Sequence, residues 1–234
     1  LDRQDPEAAE LATSAAKPLP WGTEWTAEGV IATLEPLVNE GRRERLLHVL
    51  GGRLDSVTVV MDAPHDPHNG AAVLRSCDAF GIQRVHIVAR RESFMIARRV
   101  TQGAERWVDV VQHRTAESAV TALRAGGYRL VATHPQGELL PQDLAHIPRL
   151  AVVLGNEHDG ICDQLYAAAH STVQIPMRGF AESLNVSVSA AILLASAARR
   201  PGDLNDGQKR LLYARWLHHS LTRATDILAA ARAR

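Results

Sequence analysis

Apolar runs of strand length recur at residues 57–61, 85–88, 107–111, 130–132, 150–154 and 172–175. Stretches of helical periodicity occupy 71–80, 116–125, 161–169 and 186–199 between them. Strands alternating with helices predict an α/β fold, a mainly parallel sheet covered on both faces. Ahead of this block, 26–38 and 40–50 repeat apolar positions at helical spacing, punctuated by Gly41 and Gly51-Gly52, which predicts two short helices. Behind it, 206–232 sets Leu211, Leu212, Trp216, Leu217, Leu221 and Ile227 at helix-like spacing, one long or broken amphipathic helix. Residues 1–20 are polar, Ala-rich and bounded by proline, the composition of a flexible segment. The expected organisation is a lead-in over 1–25, a helical extension over 26–53, the main α/β domain over 54–200 and a C-terminal helix over 201–234.

With 46% apolar residues in 234, the chain can bury a real core. No apolar run approaches the roughly 18–20 residues that span a bilayer, and the first residues lack the basic-then-apolar pattern of a signal peptide. A cytoplasmic protein with no membrane partner is expected. Cys77 and Cys162 stand in no metal-like or redox-like spacing, so a disulfide scaffold has no support. The net charge of zero hides an asymmetry: residues 1–40 carry eight carboxylates against Arg3 and Lys17, which leaves the remainder six units positive. Basic groups gather at Arg42, Arg43, Arg45 and Arg53, at Arg90, Arg91, Arg98, Arg99 and Arg106, and at Arg199, Arg200, Lys209 and Arg210. Such clusters follow a phosphate backbone or simply solvate helix faces, and charge alone does not choose between the two.

The most informative segment is Ile175-Pro-Met-Arg-Gly-Phe-Ala-Glu-Ser-Leu-Asn-Val-Ser-Val-Ser-Ala-Ala-Ile192, which joins a strand end, a polar loop and a helix of small residues. Ile175 and Pro176 close the strand, Gly179 lets the chain turn, and Ser183 or Asn185 caps the helix that begins near Val186. The loop is therefore rich in free backbone donors. Ser187, Ser189, Ala190 and Ala191 leave room for a close backbone segment or a flat, nucleoside-sized ligand. In His68-Asn-Gly-Ala-Ala-Val-Leu-Arg75-Ser-Cys-Asp-Ala-Phe-Gly81, Asn69 opens the helix after the first strand and Arg75 lies nearly two turns in. In Leu154-Gly-Asn-Glu157-His-Asp-Gly160, Glu157 follows a buried strand between two glycines. Ligands of α/β sheets collect at strand carboxyl ends, which raises Glu157 above a merely solvated or helix-capping carboxylate. The run His65-Asp66-Pro67-His68 is not expected to hold a metal, because no cysteine or carboxylate cluster completes a tetrahedral set.

Taken in order, the three segments resemble the motifs of the SPOUT superfamily of S-adenosylmethionine-dependent RNA methyltransferases, specifically its TrmH-like branch, over residues 54–200. The third is nearly unbroken against the signature Ile-Pro-Met-x-Gly-x-x-x-Ser-Leu-Asn-Val-Ser-Val. The resemblance implies a parallel-sheet catalytic domain with a deep trefoil knot over roughly 131–194, flanked by N- and C-terminal helices and working as an obligate homodimer. It also implies S-adenosyl-L-methionine as cofactor and RNA as partner. Asn69, Arg75, Glu157, Ser183 and Asn185 inherit catalytic roles. Thr133 and His134, then Leu154, Gly155, Asn156 and Glu157, then Ile175, Met177, Ser183, Leu184 and Asn185 inherit the cofactor pocket, with Ile175, Met177 and Leu184 against adenine. The family's arginine is credited with assisting deprotonation of the ribose 2′-hydroxyl. A guanidinium stays protonated in proteins, so Arg75 is expected to grip the adjacent phosphate and polarise the hydroxyl while phosphate or water takes the proton. Ala71 departs from the glycine or serine of many relatives.

The function implied is ribose 2′-O-methylation of tRNA at the D-loop guanosine. The same chemistry on ribosomal RNA is the near alternative, and a non-catalytic RNA-binding protein of the same fold is the alternative from another class. A short N-terminal region without a separate L30e-like domain favours tRNA, and the intact motif residues argue against lost turnover. A dinucleotide-dependent oxidoreductase would need a Gly-x-Gly-x-x-Gly after the first strand, which is absent. Arginine-rich terminal helices would dock the RNA, and Trp216 is expected to bury against the N-terminal helices or a partner subunit.

Overall fold

A computed structural model describes residues 19–89, 106–156 and 158–232. Glu157, the basic cluster at Arg90, Arg91, Arg98 and Arg99, and residues 1–18 of the expected lead-in lie outside the described residues. The chain divides into two units, Leu54–Pro201 and a second made of Leu1–Arg53 with Gly202–Arg234.

In the first unit, strands β1 (Leu54–Asp62), β2 (Ile82–Val88), β3 (Asp109–His113), β4 (Arg129–Thr133), β5 (Leu150–Leu154) and β6 (Ser171–Val173) form one sheet in the order β3-β2-β1-β5-β4-β6. Every pairing is parallel. All five residues of β5 are buried, as are eight of the nine in β1. Strands covered on both faces read this way, as continuous apolar runs. Helices α1 (Pro67–Ala79), α2 (Ala116–Ala125), α3 (Asp163–Ala168) and α4 (Val186–Ala197) supply the cover. Leu74 and Cys77 of α1, with Leu193 and Leu194 of α4, pack on Val57, Val59 and Met61. Ala119 and Leu123 of α2, with Leu165 of α3, pack on Val60, Leu130 and Val153 on the opposite face.

Strands β1 and β2 each begin three residues before their apolar runs, and two other runs reach beyond the ladder. The run at 107–111 begins too early: Trp107 and Val108 form a turn, and pairing with β2 starts at Asp109. The run at 172–175 extends too far, because the ladder with β4 ends at Val173 and Ile175 packs on the core without pairing. Apolar character marks burial, and a buried turn carries it as well as a strand does.

After β4 the chain runs out past the sheet edge, where Leu139 makes an isolated parallel bridge with Val173 of β6. Gly137 permits this approach, since a Cβ there would lie 2.4 Å from the Val173 carbonyl carbon. A 3-10 turn, Pro141–His146, then returns the chain to β5, on the far side of β4.

His86 and His113 form a buried pair between β2 and β3, with His86 Nδ1 and His113 Nε2 2.8 Å apart. Burial, then the neighbouring His113 and Arg84, hold His86 down to about 3, and burial lowers His113 as well. The His86 imidazole is therefore neutral in the fold under conditions that protonate it in the unfolded chain, and His113 is displaced in the same direction. Stability from this pair is fully present above the unfolded pKa of about 6.5 and is lost as pH falls below it. The unfolding free energy from urea denaturation should decline from pH 7 to pH 5, with His86 contributing a slope that approaches ~1.4 kcal/mol per pH unit and His113 adding in the same direction. The H86L/H113L double variant should have a shallower slope, and a wild-type profile that is flat over this range would contradict the assignment.

The second unit contains α5 (Ala27–Leu34), continued by a 3-10 turn over Glu35–Leu37, then α6 (Glu40–Gly51), α7 (Asp206–Ser220) and α8 (Ala224–Arg232). The C-terminal segment is thus broken, at residues 221–223. Side-chain caps from Thr26, Asn39 and Asn205 begin three of these helices. Trp216 is buried, and the Arg53 guanidinium lies 5.1 Å from its ring centroid. Arg53, counted with the basic cluster in the sequence, is 2% exposed. It holds the interior together and offers nothing to a phosphate.

Candidate active site

From β1 the chain moves outward through β2 to β3, whereas β5, β4 and β6 lie on the other side. β1 and β5 are therefore the neighbours at which the strand order reverses, and the crevice beyond their carboxyl ends is where open α/β sheets bind ligands. A small cavity opens there. Met61 and Leu154 come from the two strand ends, Asn69 and Val73 from α1, and Val186 from α4, with Pro64, Gly155 and Asn156 from the loops between. The walls are mostly apolar, with two side-chain amides as polar points, a combination that suits a small ligand.

The loop after β5 depends on Gly155. A Cβ at that position would lie 2.5 Å from the Gly160 carbonyl carbon and 2.7 Å from Ile161 N, so no side chain fits. Asn156 closes the turn: its N–H donates to Gly160 O at 3.1 Å, and its Oδ1 accepts from the amides of His158 and Asp159 at 2.9 and 2.7 Å. The turn is fastened to the end of β1, where the buried Asp62 carboxylate accepts from Cys162 N–H at 2.7 Å.

Asn69 is placed by the start of α1, where Pro67 sets the first turn and Asp66 Oδ1 accepts from His68 N–H at 2.8 Å. Asn185, not Ser183, is the N-cap of α4. Its Oδ1 accepts from Ser187 N–H at 2.8 Å and from Ser187 Oγ at 2.6 Å. With the oxygen so engaged, the amide nitrogen is the end left to face α1. It donates to Asn69 Oδ1 at 3.0 Å, across 116 residues of sequence. The first and third motifs thus meet at the cavity that the second helps to line.

The model of the SpoU rRNA methylase family matches residues 56–195. The chain belongs to this family. It is 33% identical to the tRNA (guanosine(18)-2′-O)-methyltransferase of Escherichia coli strain K12 over 164 residues, which cover 70% of this chain and 72% of that protein. Among solved structures, the Aquifex aeolicus TrmH/SpoU tRNA modifying enzyme superposes with a TM-score of 0.67 at 27% identity, covering 79% of this chain and 98% of that one. The SpoU methyltransferase AviRb from Streptomyces viridochromogenes, in complex with AdoMet, gives a TM-score of 0.54 at 28% identity over 63% of this chain and 61% of that one.

The other described residues singled out by the family motifs do not line this cavity. Arg75 is exposed on α1, and six residues of helix turn it about 120° away from Asn69. Thr133 Oγ1 donates to Val153 O at 3.2 Å. His134 Nδ1 accepts from Gln136 N–H at 3.1 Å, and its ring lies 5.9 Å from that of Tyr166. Met177, Ser183 and Leu184 stand exposed on the loop before α4. Over residues 175–184 no backbone–backbone hydrogen bond forms among the described residues, which leaves a row of donors and acceptors for a ligand. No three His, Cys, Asp or Glu side chains gather to hold a metal among the described residues.

Sequence reasoning missed Asp62, although a carboxylate closing an apolar run was a usable signal. It also missed the contact between the rings of His65 and His158, whose centroids are 4.5 Å apart. Nothing in either local sequence announces that contact.

Proposed function

We propose that this protein transfers the methyl group of S-adenosylmethionine to the ribose 2′-hydroxyl of the D-loop guanosine at position 18 of tRNA, with residues 54–200 as its catalytic domain. The observation that carries this reading is the Asn185–Asn69 bond at 3.0 Å, which joins two family motifs at the strand-order switch. The tRNA (guanosine(18)-2′-O)-methyltransferase relative and the AdoMet-bound neighbour support the substrate and the cofactor.

The residues present suit that cofactor. The free backbone groups of 175–184 can pair with the edge of adenine while exposed Met177 and Leu184 cover its faces. Apolar Met61, Val73 and Leu154 keep water from the reacting end. When bound, S-adenosylmethionine supplies a methyl group activated by its sulfonium. The protein must hold the acceptor oxygen in line with it, and positioning of this kind is worth on the order of 7–11 kcal/mol. Asn69 and Asn185 orient the ribose, and Glu157 and Ser183 complete the pocket. Thr133, His134 and Ile175 form its outer support. Arg75 lies outside the cavity and suits a phosphate next to the target: it grips that group and polarises the hydroxyl, whose proton leaves to phosphate or water. Arg75→Lys keeps the charge and loses the fork, so kcat should fall about tenfold at unchanged thermal stability. Wild-type turnover in that variant would remove Arg75 from the mechanism.

The same reading includes an obligate homodimer and a deep trefoil knot. Phe180 is 107% exposed and Val188 is exposed on the helix that follows, apolar positions that a second copy would cover. The detour of the chain past β6 between β4 and β5 is the threading from which a knot over 131–194 would be built. Among the described residues no helix is long and apolar enough to cross a membrane, and a tRNA substrate would place the protein in the cytoplasm.

The test is to incubate total tRNA and rRNA from a strain lacking this protein with labelled S-adenosylmethionine and map the 2′-O-methylated residue. Label at guanosine 18 of tRNA is expected. Label confined to rRNA would move the substrate to the ribosome, and absence of both label and cofactor binding would leave an RNA-binding module.

A further inference from the structure

Two loops frame the cavity. The one between β1 and α1 supplies Pro64 and leads to Asn69; the one after β5 supplies Gly155 and Asn156. Contacts of two different kinds hold them together. Inside, the Asp62 carboxylate accepts from Cys162 N–H at 2.7 Å, with Asp62 only 1% exposed. At the surface, the imidazoles of His65 and His158 meet edge to face, centroids 4.5 Å apart and planes at 78°. In that arrangement the positive edge of one ring rests on the negative face of the other.

Each loop is shaped to present its ring. Ala63 is held at φ 45°, a left-handed conformation that a non-glycine residue adopts only where its surroundings fix it. On the other side, Asn156 Oδ1 takes the amide of His158 and so sets where that side chain leaves the turn. The near-perpendicular planes do not aim two lone pairs at one ion, and no third ligand converges on them among the described residues.

We propose that His65 and His158 are positioning residues. Their ring contact clamps the β1–α1 loop, and through it Asn69, against the loop carrying Gly155 and Asn156, and so sets the working width of the cavity. The kinetic consequence rests on the methyl-transfer reading above; the structural consequence does not. The clamp acts through aromatic shape and quadrupole rather than through a proton, so phenylalanine substitutes for histidine and alanine does not.

The experiment compares wild type with H65A, H158A, H65A/H158A and H158F in the full chain. It reads backbone amide hydrogen exchange over 156–162, and kcat and KM with tRNA and S-adenosylmethionine. Either alanine variant should exchange about tenfold faster over this segment. Each should also lower kcat about tenfold, with KM for tRNA within about twofold. The double alanine variant should be no slower than either single, and H158F should match wild type. Unchanged exchange in the alanine variants would overturn the clamp. So would additive losses, which mean that the rings act separately, or an H158F loss equal to that of H158A, which means that the imidazole itself acts. If wild type transfers no methyl group to RNA, the methyl-transfer reading fails, and the exchange rates alone decide for or against the clamp.

Discussion

Asn185→Ser should lower methyl transfer about a hundredfold and leave the fold in place, because it separates two functions that asparagine combines. As N-cap, Asn185 takes Ser187 N–H on its Oδ1 at 2.8 Å. Serine caps a helix about as well as asparagine, so α4 should keep its start and the thermal midpoint should move little. What serine cannot do is reach Asn69. The 3.0 Å bond from Asn185 Nδ2 to Asn69 Oδ1 disappears, and with it a side-chain hydrogen bond that joins the two motifs. Removing one preorganised polar contact at a reacting centre typically costs 10²–10³ in rate. Alanine would blur this result, since loss of the cap alone costs ~1 kcal/mol. Single-turnover rates on tRNA, with melting curves alongside, decide it. Asn69→Ser should give a similar loss and the double variant little more, as for two groups that act as one unit. A serine variant within twofold of wild type would mean that the bond is incidental.

The parts of this site that were legible in the sequence are those whose physics is local. An unbroken apolar run from Leu150 to Leu154 can only be a covered strand, and β5 is that strand, buried at every residue. Asn69 and Asn185 stand where helix starts were expected, after a strand and after a polar loop. Their mutual bond was not legible, because nothing in either segment encodes a partner 116 residues away. Nor was the position of the cavity, which depends on β5 inserting beside β1 rather than beyond β3. Only the ladder settles that adjacency. Charge misled for a related reason. A sequence gives the sign of a side chain and not its direction, so Arg53 and Arg200 were counted among possible phosphate contacts. Arg53 lies under Trp216. Arg200 is turned inward by carbonyls that the sequence does not display, whereas its neighbour Arg199 is exposed.

Replacing Arg200 with methionine should therefore destabilise the sheet-containing unit by about 3 kcal/mol, with little effect on the salt dependence of RNA binding. Its Nε donates to Ala197 O at 3.0 Å, at the end of α4. One Nη reaches Leu144 O and Ala145 O, both at 3.1 Å, in the 3-10 turn before β5. The other reaches Ile147 O at 3.0 Å, Pro148 O at 3.1 Å and Ser56 Oγ of β1 at 3.3 Å. Carbonyls left over at helix ends carry partial negative charge and need donors, and one planar guanidinium serves two such ends together. Hydrogen bonds to a charged donor contribute ~1.5–3 kcal/mol each in isolation, but here six contacts share the five N–H groups of one half-buried guanidinium, so they are not additive, and water can replace the outermost. Methionine retains the apolar stem and removes the charged donors, so the loss reports the hydrogen bonds rather than packing. Lysine brings one ammonium where a fork is needed and should recover less than half. Urea denaturation of the three proteins measures this directly, and a methionine variant within 0.5 kcal/mol of wild type would mean that water satisfies those carbonyls as well as Arg200 does. Arg199→Met is the counterpart: exposed and on the surface, it should leave stability unchanged and, if RNA passes this face, reduce the dependence of RNA affinity on salt by the equivalent of about one phosphate contact.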